Sequence, residues 1–151
     1  MTSTPSTSTN KSGEPDLQPD DLEILRLLDQ DFFLLTSEQI CQFFPKRSRR
    51  AINGRLQRLT KAGYVSLRYP GKLFLSLNRP SYYLASKAIR ILNTNPADKR
   101  LLLRSQRIRG FGDTGRIHLL FTNAVQIKFQ TAGDEYPDYH FESWIQQYDP
   151  V

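Results

Sequence analysis

Arg50, Asn53, Gln57 and Lys61 follow one another at steps of three or four residues, so on a helix they form a single stripe. These are side chains that can read base edges: arginine is bidentate to guanine, and asparagine and glutamine are bidentate to adenine. Arg49 stands beside the stripe, and Gly54 within it would let a backbone approach closely. Ile52, Leu56 and Leu59 fall on the opposite side, with Ala51, Arg55 and Ala62 flanking them. A solvated helix face would also be polar, and arginine and lysine are good helix formers. The helix taken alone does not decide between the two.

The charge around it does more. Residues 1–38 carry two basic side chains, Lys11 and Arg26, against eight acids, a net of −6. Residues 39–116 carry eighteen against Asp98 and Asp113, a net of +16, and residues 117–151 have only Lys128 against five acids, a net of −4. No acid at all occurs between Gln39 and Ala97. Surface helices normally mix both signs, and a segment this one-sided repels itself unless a polyanion is its partner. Nucleic acid is the partner this pattern favours.

Other chemistries find little support. His118 and His140 are isolated, no metal-ligand spacing occurs, and none of the seven tyrosines lies beside a histidine or carboxylate cluster. No catalytic residue, metal or cofactor is therefore expected. Cys41, the only cysteine, excludes an internal disulfide and falls in an apolar pattern, so it reads as core rather than nucleophile. Residues 110–115 spell G-x-G-x-x-G, with Asp134 beyond. A dinucleotide site needs a buried apolar strand leading into the first glycine, and RSQRIR is too charged for that, so the segment reads as a loop. No apolar signal region or membrane-length run is present, and a cytoplasmic protein, nucleoid-associated when bound to DNA, is the expectation.

The elements that must position the basic stripe can be read in order. Residues 1–18, rich in Ser, Thr and Pro, form an expected disordered tail. Asp20 with Glu23 suggests a capped first helix over about 20–30, and Phe32 to Leu35 a short apolar link or strand. Thr36 and Gln39 form a second capping box for a short helix that Pro45 ends. The Pro45–Arg47 turn then leads into the basic helix 48–62, closed by Gly63. Two helices joined by a tight turn, the second cationic outside, are the layout of a helix-turn-helix. Tyr64–Tyr69 alternates as a strand, Pro70-Gly71-Lys72 turns, Leu73–Leu77 alternates again, and the chain returns through Tyr82-Tyr83-Leu84. Such a basic wing over 64–84, carrying Arg68, Lys72 and Arg79, would lie along the phosphate backbone or a minor groove. Tyr69, Tyr82 and Tyr83 read as hairpin packing rather than base stacking. A short helix closes the unit at 86–92. Beyond a linker at 93–96, residues 98–108 can form a basic helix, 116–131 repeats apolar residues as a strong helix, and 139–145 alternates as a closing strand.

The run LEILRLLDQDFFLLTSEQICQFFPKRSRRAINGRLQRLTKAGYV, followed by YYLASKAIRIL, resembles the DNA-binding half of the replication-relaxation family. These are winged-helix proteins of bacterial plasmids and related mobile elements. The likeness covers about residues 20–92 and is faint from 119 to 144. It implies double-stranded DNA binding with a role in replication or gene control, and by position it makes Arg49, Arg50, Asn53, Gln57 and Lys61 DNA-facing.

The expectations are then an α+β, mainly α fold: a winged helix-turn-helix domain over 19–93 and a helical extension over 94–151, whose helix 116–131 could be core or the seam of a homodimer. Arg49, Arg50, Asn53, Gln57 and Lys61 would read bases. Lys46, Arg47, Ser48, Arg58, Arg68, Lys72 and Arg79 would hold phosphates. The leading function is a sequence-specific regulator of transcription or replication. The competing ones are a protein-interaction module of a DNA-processing assembly and, with least support, an enzyme that nicks or relaxes DNA.

Overall fold

The computed structural model describes residues 16–69, 79–92, 109–110 and 112–142. The expected tail over 1–15, the turn and strand over 70–78, the linker and basic helix over 93–108, and the chain from 143 onward lie outside these residues. The fold is α+β and mainly α, in the order α1 (Pro19–Arg26), a π-helical turn (Leu27–Asp31), β1 (Leu35–Thr36), α2 (Ser37–Gln42), α3 (Arg49–Lys61), β2 (Val65–Arg68), β3 (Ser81–Leu84), α4 (Ser86–Leu92) and α5 (Asp113–Glu135).

The first helix starts earlier than Asp20. Pro19, whose ring presets a helical φ and whose missing N–H costs nothing there, takes the first position. Gln18 N–H donates to Asp21 Oδ2 at 2.9 Å, so the capping pair is Gln18 and Asp21 in place of Asp20 and Glu23. At α2 the expected box forms: Gln39 N–H donates to Thr36 Oγ1 (3.3 Å) and Thr36 N–H to Gln39 Oε1 (3.0 Å). Ser48 caps α3 by accepting from Ala51 N–H at 3.1 Å. That helix ends where Gly63 takes a φ of +81°, with Gly63 N–H donating to the Thr60 carbonyl and Tyr64 N–H to the Leu59 carbonyl. Only glycine adopts this backbone freely, which is why the helix stops there.

β3 is the centre of a three-stranded antiparallel sheet in the order β1-β3-β2, with Leu35 opposite Tyr82 and Val65 opposite Leu84. The strand directly paired with β2 is thus Ser81–Leu84. Under the sheet, Ile24, Leu25, Leu28, Phe32 and Ile40 pack with Ile52, Leu56 and Leu59 of α3, and with Val65, Leu84 and Ile89. The apolar face read from the sequence of α3 is the buried one.

Two expectations for the C-terminal part change. The loop expected over 110–115 is helical from Asp113, with Gly112 as N-cap, so the long helix runs from Asp113 to Glu135 rather than from 116 to 131. An exposed glycine before an aspartate starts a helix more readily than it continues a loop, because the aspartate favours the positive end of the helix dipole. Residues 139–142 form no strand. The rest of the segment expected as a strand, residues 143–145, lies outside the described residues. The long helix joins the main body: Ile127 enters the main core, and Leu119 packs on Phe33 and Leu34 in a second cluster.

Candidate nucleic-acid interface

The outer face of α3 is built by the same periodicity that builds its inner face. With Ile52, Leu56 and Leu59 buried, Arg49, Arg50, Gln57, Arg58 and Lys61 are exposed, and Asn53 and Gly54 half-exposed. Arg49, Arg50, Asn53, Gly54 and Gln57 line one shallow hollow. Four of the five residues expected to read bases, Arg49, Arg50, Asn53 and Gln57, therefore share one surface, and Lys61 is exposed further along the same helix. Among the described residues nothing stands over Gly54: a Cβ built there meets no atom of theirs within 4 Å.

The cations divide into tethered and free ones. Arg47 Nε donates to Asp20 Oδ2 at 2.9 Å, a pair made available because Asp20 is released from capping. Arg55, which the wheel leaves on the flank, is a strut rather than a contact: its guanidinium reaches Asp21 Oδ1 at 3.1 Å and Asp20 Oδ2 at 3.6 Å. Arg49 and Arg79 both pair with Glu38. Arg50, Arg58, Lys61 and Lys46 have no ion pair among the described residues. Ser48 is exposed, with its hydroxyl engaged as the α3 cap. Arg68 sits half-buried at the end of β2, and Lys72 lies outside the described residues.

Other groups counted in the basic stretch prove internal. Lys87 Nζ donates to the Ala62 carbonyl at 3.0 Å, at the C-terminal end of α3, and lies 4.6 Å from the centre of the Tyr64 ring. Arg116 is buried and donates to the Tyr69 carbonyl (2.7 Å) and to Asp113 Oδ1 (2.9 Å), tying the root of the β2–β3 connection to α5. Burial pushes its pKa down, Arg68 nearby pushes the same way, and Asp113 opposes them. Charge counting could not separate these from the surface cations, because the Ala62 and Tyr69 carbonyls that hold them lie 25 and 47 positions away in the chain.

The tyrosines divide as well. Tyr82 packs on the main core and Tyr83 on the second cluster, while Tyr69 is exposed. Cys41 is half-buried against the core, and burial raises its thiol pKa above the ordinary 9.0, which disfavours the nucleophilic thiolate. Among the described residues there is no group of three or more His, Cys, Asp or Glu that could hold a metal ion, and no helix long and apolar enough to cross a membrane.

The sequence reading missed three ties made by amides. Asn123 Nδ2 donates to the carbonyls of Phe32 (3.0 Å) and Leu34 (2.6 Å), and Gln39 Nε2 to that of Leu120 (3.0 Å). An Asn among apolar residues on a helix was the available signal. Its partners some ninety residues away were not. Comparison with protein-family models, with curated proteins and with solved structures finds no match to this chain.

Proposed function

We propose that this chain is a winged helix-turn-helix protein that binds double-stranded DNA in a sequence-dependent way and serves control of replication or transcription. The observation that carries the reading is the outer face of α3: Arg50, Asn53, Gln57 and Lys61 project together, Gly54 opens a place for close approach, and Asp20 and Asp21 pair with Arg47 and Arg55 rather than with these residues. Three further features support it. The order α1-β1-α2-α3-β2-β3 with the sheet order β1-β3-β2 agrees with the order expected of a winged helix. The short α2 and the longer α3 are joined by a tight turn, as a major-groove reader requires. The resemblance to the replication-relaxation family over residues 20–92 points the same way.

In this reading α3 enters the major groove, where Arg50, Asn53 and Gln57 meet base edges, while Lys46, Arg58 and the hairpin hold phosphates. The protein acts as a binder, without a catalytic group or cofactor. Selecting bound fragments from random duplex and measuring affinity on the selected site tests it. Asn53→Ala should cost about 1–3 kcal/mol there and relax the preference at one position, whereas Lys46→Ala should weaken all sequences alike. Equal binding of every duplex by the Asn53→Ala and wild-type proteins would sink the assignment of the reading face.

A homodimer through α5 belongs to the same proposal. Phe121, Val125 and Phe129, at 63%, 48% and 46% exposure, form an i, i+4, i+8 ridge opposite the buried Leu119, Asn123 and Ile127. Paired with its own copy about a twofold axis near Val125, the ridge sets Phe121 against the partner copy's equivalent of Phe129 and crosses in the manner of two i±4n ridges, at about −50°. Phe121 also walls a groove of about 440 Å³ with Thr36, Gln39, Leu120 and Ala124, whose other walls include the charged Glu38, Arg79 and Arg116. Residues 117–151 carry the acids of the C-terminal part and only one basic residue. Two strongly basic chains can therefore meet here without opposing their cationic faces.

A further inference from the structure

We infer that Glu38 is a built-in counter-ion that holds Arg49 and Arg79 away from phosphate and so limits non-specific DNA binding; the inference rests on the DNA-binding reading above. Glu38 is the last acid before the acid-free run that begins at Gln39. It sits in the first turn of α2, and its carboxylate pairs with two arginines at once: Arg49, the first residue of α3, and Arg79, at the entry to β3. These two arginines reach it from two different elements, and one carboxylate cannot neutralise both. The cluster keeps one unit of net positive charge where two arginines alone would carry two.

The pairs contribute little to holding the fold. Both arginine side chains are 60% exposed and that of Glu38 is 34% exposed, and exposed ion pairs of this kind are worth at most a small fraction of a domain's stability. What an exposed carboxylate beside a DNA-facing helix does change is the field that a duplex meets. A phosphate that takes Arg49 or Arg79 must displace Glu38 or approach it, and repulsion opposes both. That penalty applies to any duplex. Being common to all duplexes, it leaves the ratio of affinities unchanged and lowers occupancy everywhere, so that only a sequence whose contacts to Arg50, Asn53 and Gln57 offset it stays bound.

The test uses the full chain and a random-sequence duplex, with binding followed by fluorescence anisotropy over a range of salt concentrations. Glu38→Gln keeps the size and polarity of the side chain and removes its charge. It should bind about three- to tenfold tighter, and the slope of log K against log salt should steepen by about 0.9, the increment for one more neutralised phosphate. Glu38→Asp retains the charge and should keep the wild-type slope. A structural role for Glu38 would lower the melting temperature of both variants and leave the slopes unchanged.

If the wild-type chain binds and Glu38→Gln neither tightens binding nor steepens the slope, the inference falls while the DNA-binding reading stands. Steepening by Glu38→Asp to the same extent also overturns it, because the cause would then be disturbance of α2 rather than charge. If neither wild type nor Glu38→Gln binds duplex at low salt, both readings fall together.

Discussion

At the scale of single residues, Asn123 does the most for the architecture. It is fully buried, and its amide spans the carbonyls of Phe32 and Leu34. Between them Phe33 has a φ of +59°, and Leu34 N–H donates to the Phe32 carbonyl at 2.6 Å. A bulky residue with this φ inside an i to i+2 turn is strained, and it persists only where the surroundings fix it. Asn123 supplies that fixation from α5. Its own Oδ1 finds no partner among the described residues, so the contact is bought at some desolvation cost. Asn123→Ala should lower the free energy of unfolding by about 1–3 kcal/mol, because the carbonyls of Phe32 and Leu34 each lose a hydrogen bond, that of Phe32 keeping only Leu34 N–H among the described residues. Asn123→Asp should cost more, since a buried carboxylate would face those carbonyls. Urea unfolding followed by circular dichroism measures both; an unchanged midpoint for Asn123→Ala would show that the bridge carries no net stability.

At the scale of elements, α3 is legible from its own residues and can be tested through its glycine. Gly54 lies in the helix interior, where glycine costs about 0.5–1 kcal/mol relative to alanine. Since an added Cβ meets nothing, Gly54→Ala should raise stability by about that amount. On DNA the same methyl group would stand between the α3 backbone and the groove, so affinity for the selected site should fall even as the melting temperature rises. Opposite signs in the two measurements are the signature of a glycine kept for close approach. A rise in both would mean that the backbone at Gly54 stays clear of the duplex. The neighbouring helices were less legible. Pro19 moved the start of α1 by a residue or two, and the freed Asp20 could then join Arg47 and Arg55. A capping pattern cannot choose between competing acids until the tertiary partner of one of them is in place.

At the scale of the whole molecule, the basic and apolar surfaces lie on different elements, α3 and α5, and the pairing proposed for α5 makes them cooperate. Each exposed aromatic ring can bury about 150–250 Å² at most, and at the exposures of Phe121 and Phe129 the ridge supplies a part of the ~800 Å² per partner typical of a stable interface. Phe121→Glu should shift sedimentation from dimer to monomer while leaving the melting transition cooperative, because this side chain makes little of the core. It should also weaken binding to a two-half-site duplex more than to a single half-site. A wild-type chain that sediments as a monomer at concentrations well above those used for binding would end the dimer proposal.

What the sequence determined by itself is local. The buried and exposed sides of α3, the Thr36–Gln39 cap, the stop at Gly63 and the strand following it all depend on residues within a turn or two, where periodicity and backbone preference act directly. Only the tertiary structure decided which cations stay free, because Arg47, Arg49, Arg55, Arg79 and Arg116 are each claimed by a carboxylate or carbonyl on another element or an adjacent turn. It also decided that the long helix docks through Asn123 and Ile127 and leaves Phe121 outside. The physical reason is that ion pairs and buried amides are specified by proximity in space, and residues from 11 to 91 positions apart carry no mark in the chain of the partner that folding brings to them.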